Sequence, residues 1–136
     1  MEVKMSEALK IGMTHEIELE TTADMSAQKV YPHVPNVYAT RAMVGHMEEV
    51  CADLVLSHLA EGEQTVGTGM TFKHTAATPL GMKVRYSAKL TKVDGPKLAF
   101  EVEGFDEVEK IGEATHYRFI INADKFNNNV AKKAGT

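Results

Sequence analysis

The sequence predicts an α+β protein in which an antiparallel sheet of about five strands wraps one long helix. Three observations predict it. One short segment and four later ones alternate polar and apolar side chains with a period of two. A stretch between them repeats apolar residues at three- and four-residue steps. The 136 residues, 43% hydrophobic and 25% charged, suit a single domain over 1–136 rather than two cores or a disordered chain.

The first strand is Thr14 to Thr21, with Ile17 and Leu19 on one face. Residues 22–39 keep no period and carry Pro32 and Pro35, so they read as an irregular loop with one helical turn, either a lid or a mobile connector. The helix starts at Thr40, an acceptable N-cap, and Met43, Met47, Val50, Cys51, Leu54, Val55, His58 and Leu59 form its stripe up to Gly62. Glu48 falls about 90° from the centre of that stripe and Glu49 nearly opposite, so Glu49 is solvated while Glu48 stands where the core's edge opens.

In the next strand, Thr65 to His74, alternation puts Val66, Thr68, Met70, Phe72 and His74 on one face and Gly67 with Gly69 on the other. Two glycines on one face signal either a close ligand or backbone, or a bulge. Residues 75–81 are turn chemistry. Lys83 to Val93 follows, with Val84, Tyr86, Ala88 and Leu90 opposite a wet face holding Lys83, Arg85 and Lys89. Asp94-Gly95 marks a hairpin, then come Leu98, Phe100 and Val102, and a turn near Asp106. The strand from Lys110 to Ile121 is mixed and strongly apolar at its end, which suits a central position covered on both faces. Residues 125–133 read as a short helix or a frayed end. One helix covers one sheet face, so the bare face and edges favour dimerisation.

The net charge of −4 disfavours nucleic acid and anionic membranes, and no run approaches the about 20 apolar residues of a membrane span. The N-terminus lacks signal-peptide organisation and Cys51 stands alone, which together suit a reducing cytoplasm. Cys51 lies on the helix stripe as a core residue. One cysteine and six scattered histidines give no zinc-ligand spacing, so no metal is expected.

Thr40, Glu48, His74, the glycine pair and Arg118 are the candidates for chemistry. Each has a plain alternative: a cap for Thr40, a flank charge for Glu48, a hydrogen-bonded strand end for His74, a bulge for the glycines. Histidine is nonetheless the side chain suited to moving protons at neutral pH, and an inward Arg118 needs an anionic partner.

The stretches Ala39-Thr40-Arg41-Ala42-Met43-Val44-Gly45-His46-Met47-Glu48 and Gly67-Thr68-Gly69-Met70-Thr71-Phe72-Lys73-His74-Thr75-Ala76-Ala77-Thr78-Pro79 resemble the fluoroacetyl-CoA thioesterase family of hot-dog fold proteins. The likeness continues through Glu113-Ala114-Thr115-His116-Tyr117-Arg118 to Lys125-Phe126-Asn127. It implies a hot-dog dimer, or a larger oligomer, with acyl-CoA at the subunit interface and no cofactor beyond the CoA of the substrate. It also implies catalytic roles for Thr40, Glu48 and His74, and substrate contacts for Gly67 and Arg118. The segment Tyr31-Pro32-His33-Val34-Pro35 departs most from the family, so a general short-chain acyl-CoA thioesterase stands beside a fluoroacetyl specialist. The competing class is a non-catalytic acyl-CoA binding module, against which a complete proton-transfer set argues. A hot-dog hydratase lacks support, because its histidine-bearing helix motif is absent. Lys83, Arg85 and Lys89 are candidates for CoA phosphates or simply a solvated face.

Overall fold

The alternation in the strands becomes a curved sheet with one buried face. The computed structural model describes residues 8–135. The N-terminal residues 1–7, part of the segment read above for a leader, lie outside them. The elements are β1 (Thr14–Glu20), α1 (Thr40–Leu56), β2 (Glu63–His74), β3 (Lys83–Asp94), β4 (Lys97–Asp106), β5 (Lys110–Asn122) and α2 (Ala123–Lys133). Two short 3-10 turns, Ala23–Met25 and Ala27–Lys29, stand in the loop where one helical turn was expected. The sheet order is β1-β3-β4-β5-β2, every neighbouring pair antiparallel.

Helix α1 lies across all five strands. Its buried residues Met43, Met47, Val50, Cys51, Leu54 and Val55 meet Val84, Tyr86, Ala88, Leu90, Phe100, Val102 and Ile111 of the sheet. Each large apolar side chain taken out of water here contributes roughly 1.5–3 kcal/mol, which is why the helix stays on the sheet. This arrangement is the hot-dog fold. No helix among the described residues is long and apolar enough to cross a membrane.

Several local expectations are corrected. The helix stops at Leu56, with Ser57 as C-cap, rather than running to Gly62. Beyond it Ala60 N–H donates to Glu63 Oε1 and the chain turns into β2 early. Thr40 is not the cap. Ala39 is, without a capping side chain, and Thr40 is the first helical residue, its hydroxyl engaged elsewhere. The two glycines do not share a face, because the β2–β5 register shifts between Gly67, opposite Arg118, and Gly69, opposite Tyr117. This bulge around Thr68 puts Gly67 on the helix side with Met70 and His74, and Gly69 on the outer side against the Tyr117 ring. β4 occupies the centre of the sheet, β5 is next to the edge strand β2, and Tyr117 on its outer face is 44% exposed, so β5 is not covered on both faces.

The loop before α1 is anchored at its ends. Ala39 N–H donates to Met25 O, Ala27 N–H to Val37 O and Tyr38 N–H to Thr78 O, while Val30 and Tyr31 at its tip are exposed. Tyr38 is wholly buried, its hydroxyl 2.5 Å from His46 Nδ1 and 2.7 Å from Tyr86 Oη. Burial keeps both phenols protonated, with Tyr86 pushed up to about 12, and burial lowers the His46 pKa. The Tyr38 hydroxyl thus bridges His46 Nδ1 and Tyr86 Oη, giving one hydrogen bond and taking the other. Tyr38→Phe, leaving both partners unsatisfied, is expected to lower stability in a denaturant titration by about 1–3 kcal/mol, more than Tyr86→Phe.

Candidate active site

The start of α1 and the end of β2 meet at one corner of the sheet. Thr40 Oγ1 lies 2.8 Å from His74 Nδ1. The close approach depends on Gly112, directly opposite His74 in β5, where a Cβ would stand 2.7 Å from the Lys73 carbonyl oxygen and 2.8 Å from Met43 Sδ. Only a residue without a side chain lets the first turn of α1 and β2 close on β5 there. The other ring nitrogen, His74 Nε2, is buried without a hydrogen-bond partner among the described residues. Burial lowers the His74 pKa, outweighing the opposing influence of the Ala76 backbone, so the ring is neutral at pH 7.

Glu48 stands eight residues further along the helix than Thr40, about 12 Å at 1.5 Å per residue. Its Oε2 is 3.7 Å from Arg118 Nη1, and a Cβ on Gly67 would be 2.8 Å from the same oxygen. The glycine makes room for the carboxylate. Arg118, 8% exposed, donates from Nε to Thr65 Oγ1 (2.9 Å), from Nη2 to Thr65 O (3.0 Å) and from Nη1 to His116 Nε2 (3.2 Å). One chain therefore brings Thr40 to His74, and Glu48 to Gly67 and Arg118. No hydrogen bond among the described residues joins the two clusters.

Reading residue types along the chain missed Thr65 and His116. The signal for His116 was present: it precedes Arg118 by two residues in a strand and so shares its inward face. Cys51 is core as expected, its thiol pushed up to about 12 by burial. On the basic face, Arg85 pairs with Glu16 at 3.3 Å and Lys83 with Glu18 at 4.0 Å, so β1 already supplies counter-charges. Burial lowers the pKa of His46, His74 and His116 below 6.5, so the unfolded chain binds more protons in that range. Stability attributable to these rings is complete above pH 6.5 and is lost as pH falls through their depressed values, which a series of melting curves from pH 7.5 to 5 reads as a falling Tm.

The profile of the family described as fluoroacetyl-CoA-specific thioesterase matches residues 21–124. The chain belongs to that family. The fluoroacetyl-CoA thioesterase of Streptantibioticus cattleyicolor is 34% identical over 135 residues, 95% of this chain and 97% of the relative. A solved structure of the fluoroacetyl-CoA thioesterase FlK superposes with a TM-score of 0.88 at 34% identity, covering 92% of this chain and 97% of that one. A thioesterase superfamily member from Thermus thermophilus, 29% identical, has a TM-score of 0.85 over 93% of each chain. Family membership makes this chain a thioester hydrolase acting on acyl-CoA. FlK has also been solved as one threonine variant with fluoroacetate and another with acetyl-CoA.

Proposed function

We propose that this chain hydrolyses short-chain acyl-CoA thioesters to the free acid and CoA, in the cytoplasm, as a dimer or larger oligomer and without a further cofactor. Thr40, Glu48 and His74 are the reacting groups, and Gly67 and Arg118 face the acyl end. The observation that carries this is the 2.8 Å contact between Thr40 Oγ1 and a ring nitrogen of His74 that burial keeps neutral. An alcohol is a weak nucleophile until a base takes its proton, and a neutral imidazole within hydrogen-bond reach is that base.

In the first step Thr40 Oγ1 attacks the thioester carbonyl, its proton passes to His74 Nδ1, and the C–S bond breaks to release CoA thiolate, which takes that proton from the ring and leaves it neutral. In the second step the neutral His74 takes a proton from the water that attacks the acyl-threonine and returns it to Thr40 Oγ1 as the acid leaves, while Glu48 and Arg118 form the charged wall of the same site. Arg118, held on one edge by Thr65, presents a fixed positive charge beside Glu48 to the polar end of a small acyl group. The bare edge strand β2 and the exposed Tyr117 support an assembly of more than one chain.

A thiol-release assay over short acyl-CoAs, fluoroacetyl-CoA included, is expected to show turnover by wild type. Thr40→Ala and Glu48→Gln should each lose at least ~100-fold in kcat/KM. Tight binding of CoA esters without thiol release would mean a binding module instead, and full activity in both variants would displace the site from these residues. Rapid-quench mass spectrometry should find the acyl mass on wild type and not on Thr40→Ala.

A further inference from the structure

His116 is 2% exposed on the helix-facing side of β5, and both its ring nitrogens are engaged. Nδ1 is 2.8 Å from the carbonyl oxygen of Gly69, just past the β2 bulge, and Nε2 is 3.2 Å from Arg118 Nη1. A carbonyl oxygen only accepts and a guanidinium only donates, so the ring has one consistent state: neutral, with its proton on Nδ1. We propose that His116 is a positioning residue of the hydrolytic site, in which the Gly69 carbonyl selects the tautomer that lets Nε2 hold Arg118 Nη1 beside Glu48.

The geometry gives the ring something to do that Thr65 cannot. Thr65 takes Nε and Nη2, the two donors on one edge of the guanidinium. Nη1, the nitrogen nearest Glu48, has His116 as its hydrogen-bond acceptor among the described residues, because Glu48 Oε2 at 3.7 Å is an ion-pair neighbour rather than an acceptor. Without Nε2 the Nη1 end would be free to pull Glu48 out of line. A protonated ring could not accept from Arg118 and would place a second cation against it. The groups facing the ring are Arg118 on its own strand, Glu48 from α1, the Gly69 carbonyl from β2 and the Phe100 ring from β4, centroid 6.4 Å away. Burial dominates among these influences and favours the neutral ring.

The role rests on the thioesterase reading above, so the test has one arm that needs no turnover. Long-range 1H–15N correlation spectra of wild type at neutral pH, with the ring assigned by its loss in His116→Gln, are expected to show a neutral Nδ1–H tautomer. An Nε2–H tautomer or an imidazolium overturns the proposal whatever the variants do. In kinetics, His116→Ala should lose ~10–100-fold in kcat/KM, and His116→Gln, whose amide oxygen can take the place of Nε2, should recover to within about fivefold of wild type. In an Arg118→Ala background His116→Ala should add less than about twofold, since a residue acting through Arg118 has nothing left to position. Additive losses, or an equal loss in Gln and Ala, overturn it. Absence of turnover in wild type would sink the substrate reading alone, and the spectra would still decide the hydrogen-bond claim, as they also would if His116→Ala did not fold.

Discussion

His74→Ala is expected to lower kcat/KM for a short-chain acyl-CoA by ~10³-fold with a change in folding stability of less than about 1 kcal/mol. Both halves follow from the same contacts. In the proposed reaction the ring's Nδ1, 2.8 Å from Thr40 Oγ1, is the base, so its loss leaves an unactivated alcohol at the helix start. The ring's other nitrogen is buried without a partner among the described residues, a liability that the alanine removes and that offsets the lost bond to Thr40. The pH profile gives a second reading. Wild-type kcat/KM should hold above pH 6.5 and fall on the acid side as His74 takes up a proton at its depressed pKa, and this limb should be missing from the residual activity of His74→Ala. Retention of more than a tenth of wild-type activity would remove His74 from the proton-transfer role.

Gly112→Ala should cost about 3 kcal/mol and most of the activity together. A Cβ there would lie 2.7 Å from the Lys73 carbonyl oxygen and 2.8 Å and 3.1 Å from Met43 Sδ and Cε. The Lys73 carbonyl is backbone and cannot swing away, so β2 must move off β5 at the residue next to His74, and Met43 must leave a position in which it is wholly buried. Urea titration should show a lower midpoint with an unchanged slope. Gly67→Ala is the instructive contrast. Its nearest neighbour, Glu48 Oε2 at 2.8 Å, is the tip of a flexible side chain, so stability should change little while the displaced carboxylate lowers kcat/KM by at least about tenfold. Equal stability of the two variants in urea would refute this account of the two glycines.

Period-two and period-3.6 patterns were enough to find five strands, the helix and nearly every residue of the core, from Met43 and Met47 to Val84, Tyr86 and Phe100. They were enough because burial of one face is a local constraint, written into each segment's own spacing. The same patterns misplaced what depends on pairing. Strict alternation put Gly67 and Gly69 on one face, since a bulge adds a residue without any sign in the strand's own hydrophobicity. Thr40 looked like a cap because threonine caps helices, and only the end of β2, 34 residues later, claims its hydroxyl. β5 looked central because its sequence is apolar, whereas the sheet order places β4 there.

For the site, the family motifs in the sequence were enough to name the proposed set, Thr40, Glu48, Gly67, His74 and Arg118, without coordinates. Tertiary structure alone decided how they group, with Thr40 on His74, and Glu48 with Gly67 and Arg118. It alone also showed Thr65 and His116 holding the arginine. The reason is physical. Residue identity and spacing set which groups can donate, accept or carry charge, but which donor meets which acceptor depends on strand register and on the seating of α1 against the sheet. Those are settled by contacts between residues far apart in the chain, such as Gly112 against Lys73 and Met43.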